Sequence, residues 1–174
     1  MIPTLQSERL VLRAHRAEDW PDCTAMWADP EVTRFIGGAP STPEQTWFRL
    51  LRYVGHWSLL GYGYWLIREK ATARFVGEVG FADFRRDIQP PLDGTPEVGW
   101  ALATWAHGKG YATEAVRSAL AWGDEHLESR KTVCLIGADN RASIRVAQKC
   151  GYTAAGTRIY KGEASNLYER VADR

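Results

Sequence analysis

Residues 97–116 read EVGWALATWAHGKGYATEAV. The opening residues, Thr95 to Leu102, have the make-up of a strand, and its alternate positions Glu97, Gly99 and Ala101 share one face. The turn His107-Gly108-Lys109-Gly110-Tyr111-Ala112-Thr113 follows. Beyond it Ala112, Ala115, Val116, Ala119 and Leu120 fall at the i, i+3, i+4, i+7, i+8 spacing of one buried helical face, so a helix is expected within Gly108 to Leu127. A strand running through glycines into a helix presents unpaired N–H groups and a positive dipole end. Glycine lets a ligand approach that backbone, which makes an anion site suited to a diphosphate, with Lys109 adding charge. Packing alone also produces such turns. The spacing fails a Walker loop, since Tyr111 follows Gly110, and fails a dinucleotide fingerprint, whose third glycine position holds Thr113.

Outward from this stretch, Thr132 to Ala138 is an apolar run of strand length, so 95–138 predicts a strand–helix–strand crossover with parallel neighbours. Asp139-Asn140 caps a helix reaching Cys150 and ending at Gly151, and strands at Thr153 to Tyr160 and Leu167 to Val171 close the chain. Toward the N-terminus, strands are expected at Glu8 to Arg13, Tyr64 to Arg68 and Arg74 to Ala82, with a short helix at Ala17 to Ala28. A longer helix begins with Pro43 behind a Ser41 or Thr42 cap and stops at Gly61. Asp87 to Gly94 reads as a loop. The expected fold is one α/β domain over residues 1–174, a mixed, mostly antiparallel sheet flanked by helices with one parallel strand–helix–strand crossover.

The bulk numbers fit that size and narrow the partners. A chain of 174 residues with 45% apolar content can bury a substantial core. A net charge of +1 gives no global case for nucleic acid or an anionic membrane surface. No apolar stretch approaches the roughly 20 residues of a bilayer span. The start, Met1-Ile2-Pro3-Thr4, has no signal-peptide character, so a cytoplasmic location is the default expectation. Cys23, Cys134 and Cys150 form no paired spacing, and His15, His56, His107 and His126 show no metal-ligand spacing, so neither a disulfide framework nor a metal is expected. The eight tryptophans supply core area or line a pocket.

Three segments together resemble a known family. Glu97 to Leu102 with Gly108-Lys109-Gly110-Tyr111-Ala112-Thr113-Glu114-Ala115 looks like the acetyl-CoA-binding motif of the GNAT superfamily of N-acetyltransferases. Ser7-Glu8-Arg9-Leu10-Val11-Leu12-Arg13 is similar to the start of the branch that contains the ribosomal-protein N-terminal alanine and serine acetyltransferases. Asn140-Arg141-Ala142-Ser143 and Lys149-Cys150-Gly151-Tyr152 match that branch's later pattern. The resemblance implies acetyl-CoA as donor, with His107, Gly108, Lys109, Gly110, Tyr111, Ala112 and Thr113 around its diphosphate. It implies that the backbone of Leu102 and Ala103 pairs with the pantetheine arm, and that Asn140 and Ser143 meet the cofactor from the last helix. His107 stands where the family usually has Gln or Arg.

Acyl transfer to an amine needs a base for the amine proton, donors for the carbonyl oxygen and a proton for the departing sulfur. Glu97 is the first candidate base and Glu78, in Val76-Gly77-Glu78-Val79-Gly80, the second; each shares its strand face only with small residues, which leaves room for a ligand. Either could instead be a solvated residue or a structural ion pair. Many GNAT enzymes supply a tyrosine near the sulfur from the last helix; the matching position here is Ala147, so Ser143 is the candidate. The amine acceptor is open, with Trp47, Tyr53, Trp57 and Tyr62 as possible pocket residues. A module that binds acyl-CoA without turnover is the competing reading. A homodimer is compatible with the sequence, which does not select one.

Overall fold

A computed structural model describes residues 1–92 and 94–173. The strands are β1 (Leu5–Gln6), β2 (Leu10–Arg13), β3 (Tyr64–Glu69), β4 (Phe75–Ala82), β5 (Ile88–Gln89), β6 (Glu97–Leu102), β7 (Lys131–Ile136), β8 (Thr153–Tyr160) and β9 (Glu163–Val171). The helices are α1 (Trp20–Trp27), α2 (Pro30–Thr33), α3 (Pro43–Leu60), α4 (Tyr111–His126) and α5 (Arg141–Lys149). The strands form one sheet in the order β1-β2-β3-β4-β6-β7-β9-β8-β5. Every neighbouring pair is antiparallel except β6 and β7, which run parallel across the α4 crossover.

Local chemistry sets the helix ends. Thr42 caps α3 by accepting from Gln45 N–H while the Gln45 side chain accepts from Thr42 N–H; Pro43 needs no donor partner, and Gly61 ends the helix at φ 74°. One helix layer lies on each sheet face. Val98 and Leu102 of β6 join Ala115, Val116, Ala119 and Leu120 of α4 in the main core. Ala101 faces the other way and packs with Cys23, Met26 and Trp27 of α1 and Leu50 of α3.

Three short elements go beyond the sequence reading. β1, α2 and β5 span two to four residues each, too few to show a period. β5 lies inside the expected Asp87 to Gly94 loop, of which Asp93 is outside the described residues. The last strand begins at Glu163 rather than Leu167, because its exposed, polar first half pairs with β8 beyond the core.

Asp19 fixes the approach to α1. It accepts two bonds from the Arg13 guanidinium, at 2.6 and 2.8 Å, one from Arg68 at 3.1 Å and one from the Arg16 N–H at 2.8 Å. Burial pushes its carboxyl up, but the Arg13, Arg16 and Arg68 bonds outweigh that and hold it at about 2. A depressed carboxyl stabilises the fold above its unfolded value, and that contribution disappears as pH falls toward the folded value. The chain therefore loses stability between about pH 5 and pH 2. An Asp19→Asn variant starts less stable at neutral pH and has a flatter melting-temperature profile across that window; a parallel profile would refute the assignment.

Candidate active site

The split between β6 and β7 is the central feature. Among the described residues they share one pair, Glu97 with Val133, and Val133 N–H donates to Pro96 O at 3.0 Å. Beyond it the strands diverge, leaving the far half of β6 without a partner on that flank. Glu78–Ala101, Gly80–Gly99 and Ala82–Glu97 are opposed across β4 and β6. Ala103 N–H donates to Val76 O at 2.9 Å. Antiparallel alternation then turns the backbone of 97, 99, 101 and 103 toward β4, and that of Trp100 and Leu102 toward the split. This corrects the expectation for Ala103, whose N–H is spent on β4 and whose carbonyl accepts from Ala106 N–H.

At the end of β6 the chain enters the glycine turn. Gly108 and Gly110 adopt φ 74° and 80°, and Gly110 caps α4 without any side-chain hydrogen bond. By contrast α2, α3 and α5 are capped by the side chains of Asp29, Thr42 and Asn140. The first α4 N–H groups thus point outward beside the split, which is the arrangement an anionic ligand satisfies. The imidazole of His107 bonds Leu102 O at 2.8 Å and ties the turn to the strand, so this departure from the family pattern has a structural task.

The N-terminal Ser7-Glu8-Arg9 motif explains itself at the same place. Glu114, in the first turn of α4, accepts from Ser7 Oγ, Arg9 N–H and Arg9 Nε, each at 2.7 Å. Arg9 also donates to Lys109 O at 3.0 Å and lies over the Tyr111 ring. Tyr111 O–H donates to Glu69. Tyr111 is therefore a bolt beneath the turn, and Lys109 lies over the Trp105 ring, 4.6 Å from its centroid.

The two candidate bases differ in setting. Glu97 meets Arg86 in a two-pronged pair, Nε to Oε2 at 2.8 Å and Nη2 to Oε1 at 2.9 Å. It borders a cleft lined by Ala82, Phe84, Arg86, Leu92 and Thr95. Nothing in the sequence pairs a strand glutamate with an arginine from the preceding loop. Glu78 is 0% exposed. It accepts from Trp27 Nε1 at 2.9 Å and bonds His15 Nε2 at 3.1 Å. Burial pushes its carboxyl up, but these hydrogen bonds carry it below the ordinary range. Glu78 is thus a buried structural carboxylate, not the solvated group the sequence allowed. Cys23 stands beside it: His15, Cys23 and Glu78 bring donor atoms within 4.8 Å of one another. Three separate elements supply them, so no sequence spacing could announce the cluster.

The small-residue face is not open. Tyr64 lies over it, as an added Cβ on Gly99 would meet the Tyr64 hydroxyl at 2.1 Å. The four candidate pocket aromatics have different settings, and of them Trp57 borders a surface cavity with Val54 and Trp122. Trp57 packs edge-on against Trp65 and Trp122, Tyr53 is buried under Tyr64, Tyr62 is half-buried against the main core, and Trp47 is exposed.

On the last helix Asn140 Oδ1 accepts from Ser143 N–H at 3.2 Å, as a cap should. The Ser143 hydroxyl has no hydrogen-bond partner among the described residues. Ala147 and Tyr152 are buried in the main core, the Tyr152 hydroxyl 2.6 Å from Thr132 Oγ1. Cys23, Cys134 and Cys150 are free and buried, and burial pushes each thiol up, away from nucleophilic use.

Comparison with known proteins agrees with this geometry. The chain is 28% identical over 154 residues to the uncharacterized N-acetyltransferase p20 of Bacillus licheniformis, covering 88% of this chain and 84% of that one. An acetyltransferase of Agrobacterium tumefaciens superposes with a TM-score of 0.84 at 29% identity, over 99% and 96% of the two chains. RimL, a ribosomal L7/L12 alpha-N-protein acetyltransferase solved with coenzyme A, shares the fold at a TM-score of 0.79, with 18% identity over 98% and 99%. Residues 9–153 match the family described as the acetyltransferase (GNAT) domain, and the chain belongs to that family.

Proposed function

We propose that the protein transfers the acetyl group of acetyl-CoA to a primary amine. The observation that carries this reading is the uncapped, glycine-entered N-terminus of α4 beside the β6–β7 split. The outward N–H groups of residues 108–113 receive the diphosphate, with Lys109 nearby. The split-facing backbone of Trp100 and the Leu102 N–H pair with the pantetheine amides, and Asn140 and Ser143 flank the arm from α5. Acetyl-CoA supplies a thioester, whose carbonyl carbon is open to an amine.

In the reaction the amine lone pair forms the new C–N bond, the C–S bond breaks with its electron pair going to sulfur, the nitrogen loses one proton, and the departing thiolate gains one from a donor or solvent. Glu97 takes the nitrogen's proton, directly or through a water. The Arg86 pair holds the carboxylate in place, while each oxygen retains lone pairs for a further hydrogen bond. The hydroxyl of Ser143, unspent within the protein, donates toward the departing sulfur. Glu78 serves the fold beneath the site. The cleft beside Glu97 admits the acceptor, either a protein N-terminus, as RimL's name states for that enzyme, or a small amine.

Titration calorimetry with acetyl-CoA, CoA, ATP and NAD, followed by thiol release over a panel of amines and short peptides, tests the class. Selective acetyl-CoA binding with release is expected. Binding without release across a broad panel would point to an acyl-CoA sensor, and no binding would end the proposal. With an acceptor in hand, Glu97→Gln lowers kcat roughly 100- to 10,000-fold near neutral pH at unchanged acetyl-CoA affinity. Full turnover in that variant across pH removes Glu97 from the mechanism.

A further inference from the structure

Tyr64 sits at the start of β3 but acts two strands away. It opposes Gly80 on β4, and Gly80 opposes Gly99 on β6. Both positions need glycine: an added Cβ on Gly80 would meet Tyr64 Cα at 2.3 Å, and one on Gly99 the Tyr64 hydroxyl at 2.1 Å. The ring therefore lies along the sheet, over β4, and ends on the middle of β6. Tyr53 of α3 stacks on it, centroids 4.3 Å apart and planes 7° from parallel, which fixes the ring.

What the hydroxyl lacks is a partner. The Tyr64 ring is buried, and its O–H makes no hydrogen bond to the protein among the described residues; the hydroxyl is not one of the fully buried unpartnered atoms, so its tip is open to solvent or a ligand. The unspent donor stands above Gly99, past the Glu97–Val133 pair, where β6 has lost its neighbour on the β7 side. It shares that face with Glu97 and Glu78. Burial, reinforced by the Glu97 charge, pushes the phenol well up, so it keeps its proton throughout the physiological range.

We infer that the Tyr64 hydroxyl is a further catalytic group, donating a hydrogen bond to the acetyl carbonyl oxygen at the mouth of the split. The inference rests on the acetyl-transfer reading above. As the amine forms its bond to the acetyl carbon, negative charge grows on that oxygen, and a fixed donor in a water-poor site stabilises it. The phenol proton stays on Tyr64, since a thiolate is a weaker base than this phenolate. Proton delivery to sulfur remains with other groups, so Tyr64 and Ser143 have separate tasks.

The test uses the full chain and acetyl-CoA carrying carbon-13 in the carbonyl. Infrared difference spectra of the bound thioester report its polarisation without any acceptor. In the wild type the carbonyl band lies below its solution frequency. Tyr64→Phe, which keeps the stack on Tyr53, returns the band toward the solution value at unchanged acetyl-CoA affinity, and lowers kcat about 100-fold with the acceptor found for the wild type. Tyr64→3-fluorotyrosine, a stronger donor, moves the band further down and decides the matter should the phenylalanine variant fail to fold. A band unmoved by either change overturns the inference and leaves acetyl transfer standing. Failure of the wild type to bind acetyl-CoA, seen by calorimetry, overturns the reading itself.

Discussion

Replacing Gly110 with valine lowers acetyl-CoA affinity about tenfold or more, while the melting temperature falls by only a few degrees. Gly110 holds φ 80° as it hands the chain to α4. A side chain in that region costs roughly 1–2 kcal/mol, and a β-branched one is a worse fit. Its Cβ would also lie 3.4 Å from Arg9 Nη2, the group that grips Lys109 O. The turn relieves this by rotating, and rotation misdirects the outward N–H groups of α4. Since 1.4 kcal/mol is a tenfold change in binding, a modest reorientation suffices. Calorimetric titration with acetyl-CoA and a thermal melt separate the two effects. Unchanged affinity would mean that the diphosphate binds elsewhere.

Glu78→Ala has the largest expected effect on stability, about 3–5 kcal/mol, or roughly 6–20 °C in melting temperature. The carboxylate is the shared acceptor for Trp27 Nε1 and His15 Nε2 in a fully buried place. Its removal orphans the Trp27 donor and leaves a void between β4 and α1. Glu78→Gln is much milder. Its amide oxygen still accepts from Trp27, and its NH2 donates to His15 if the imidazole turns that nitrogen into an acceptor. If the alanine variant melts within a degree or two of the parent, the buried network contributes little.

The sequence spoke clearly where chemistry is local. Thr42, Pro43 and Gly61 bracket α3, the two glycines open α4, and Asn140 caps α5, because each feature is decided within a few residues. The parallel crossover followed from the length of chain between two strands. Less accessible was anything settled by register. Gly80 and Gly99 are small because a ring from β3 crosses them; from the sequence, small residues on a strand face read as room for a ligand. Arg86 reaches Glu97 from a loop, and His15, Trp27 and Glu78 converge from three elements. Such meetings depend on which strands become neighbours. The backbone geometry of the glycine turn was therefore readable from its motif, whereas the partners of the candidate side chains emerged only with the sheet.

The one β6–β7 pair among the described residues, Glu97 with Val133, divides the sheet into two leaves, one of β1, β2, β3, β4 and β6, the other of β7, β9, β8 and β5. Among the described residues, strand pairing between them is confined to one end, with α4 as a strap across the seam. A ligand threaded into the seam would act as the strand that is missing there, bonding with β6 along its bare edge. Ligand binding and completion of the sheet would then be one event, with the two leaves joined along the seam as well as at its hinge.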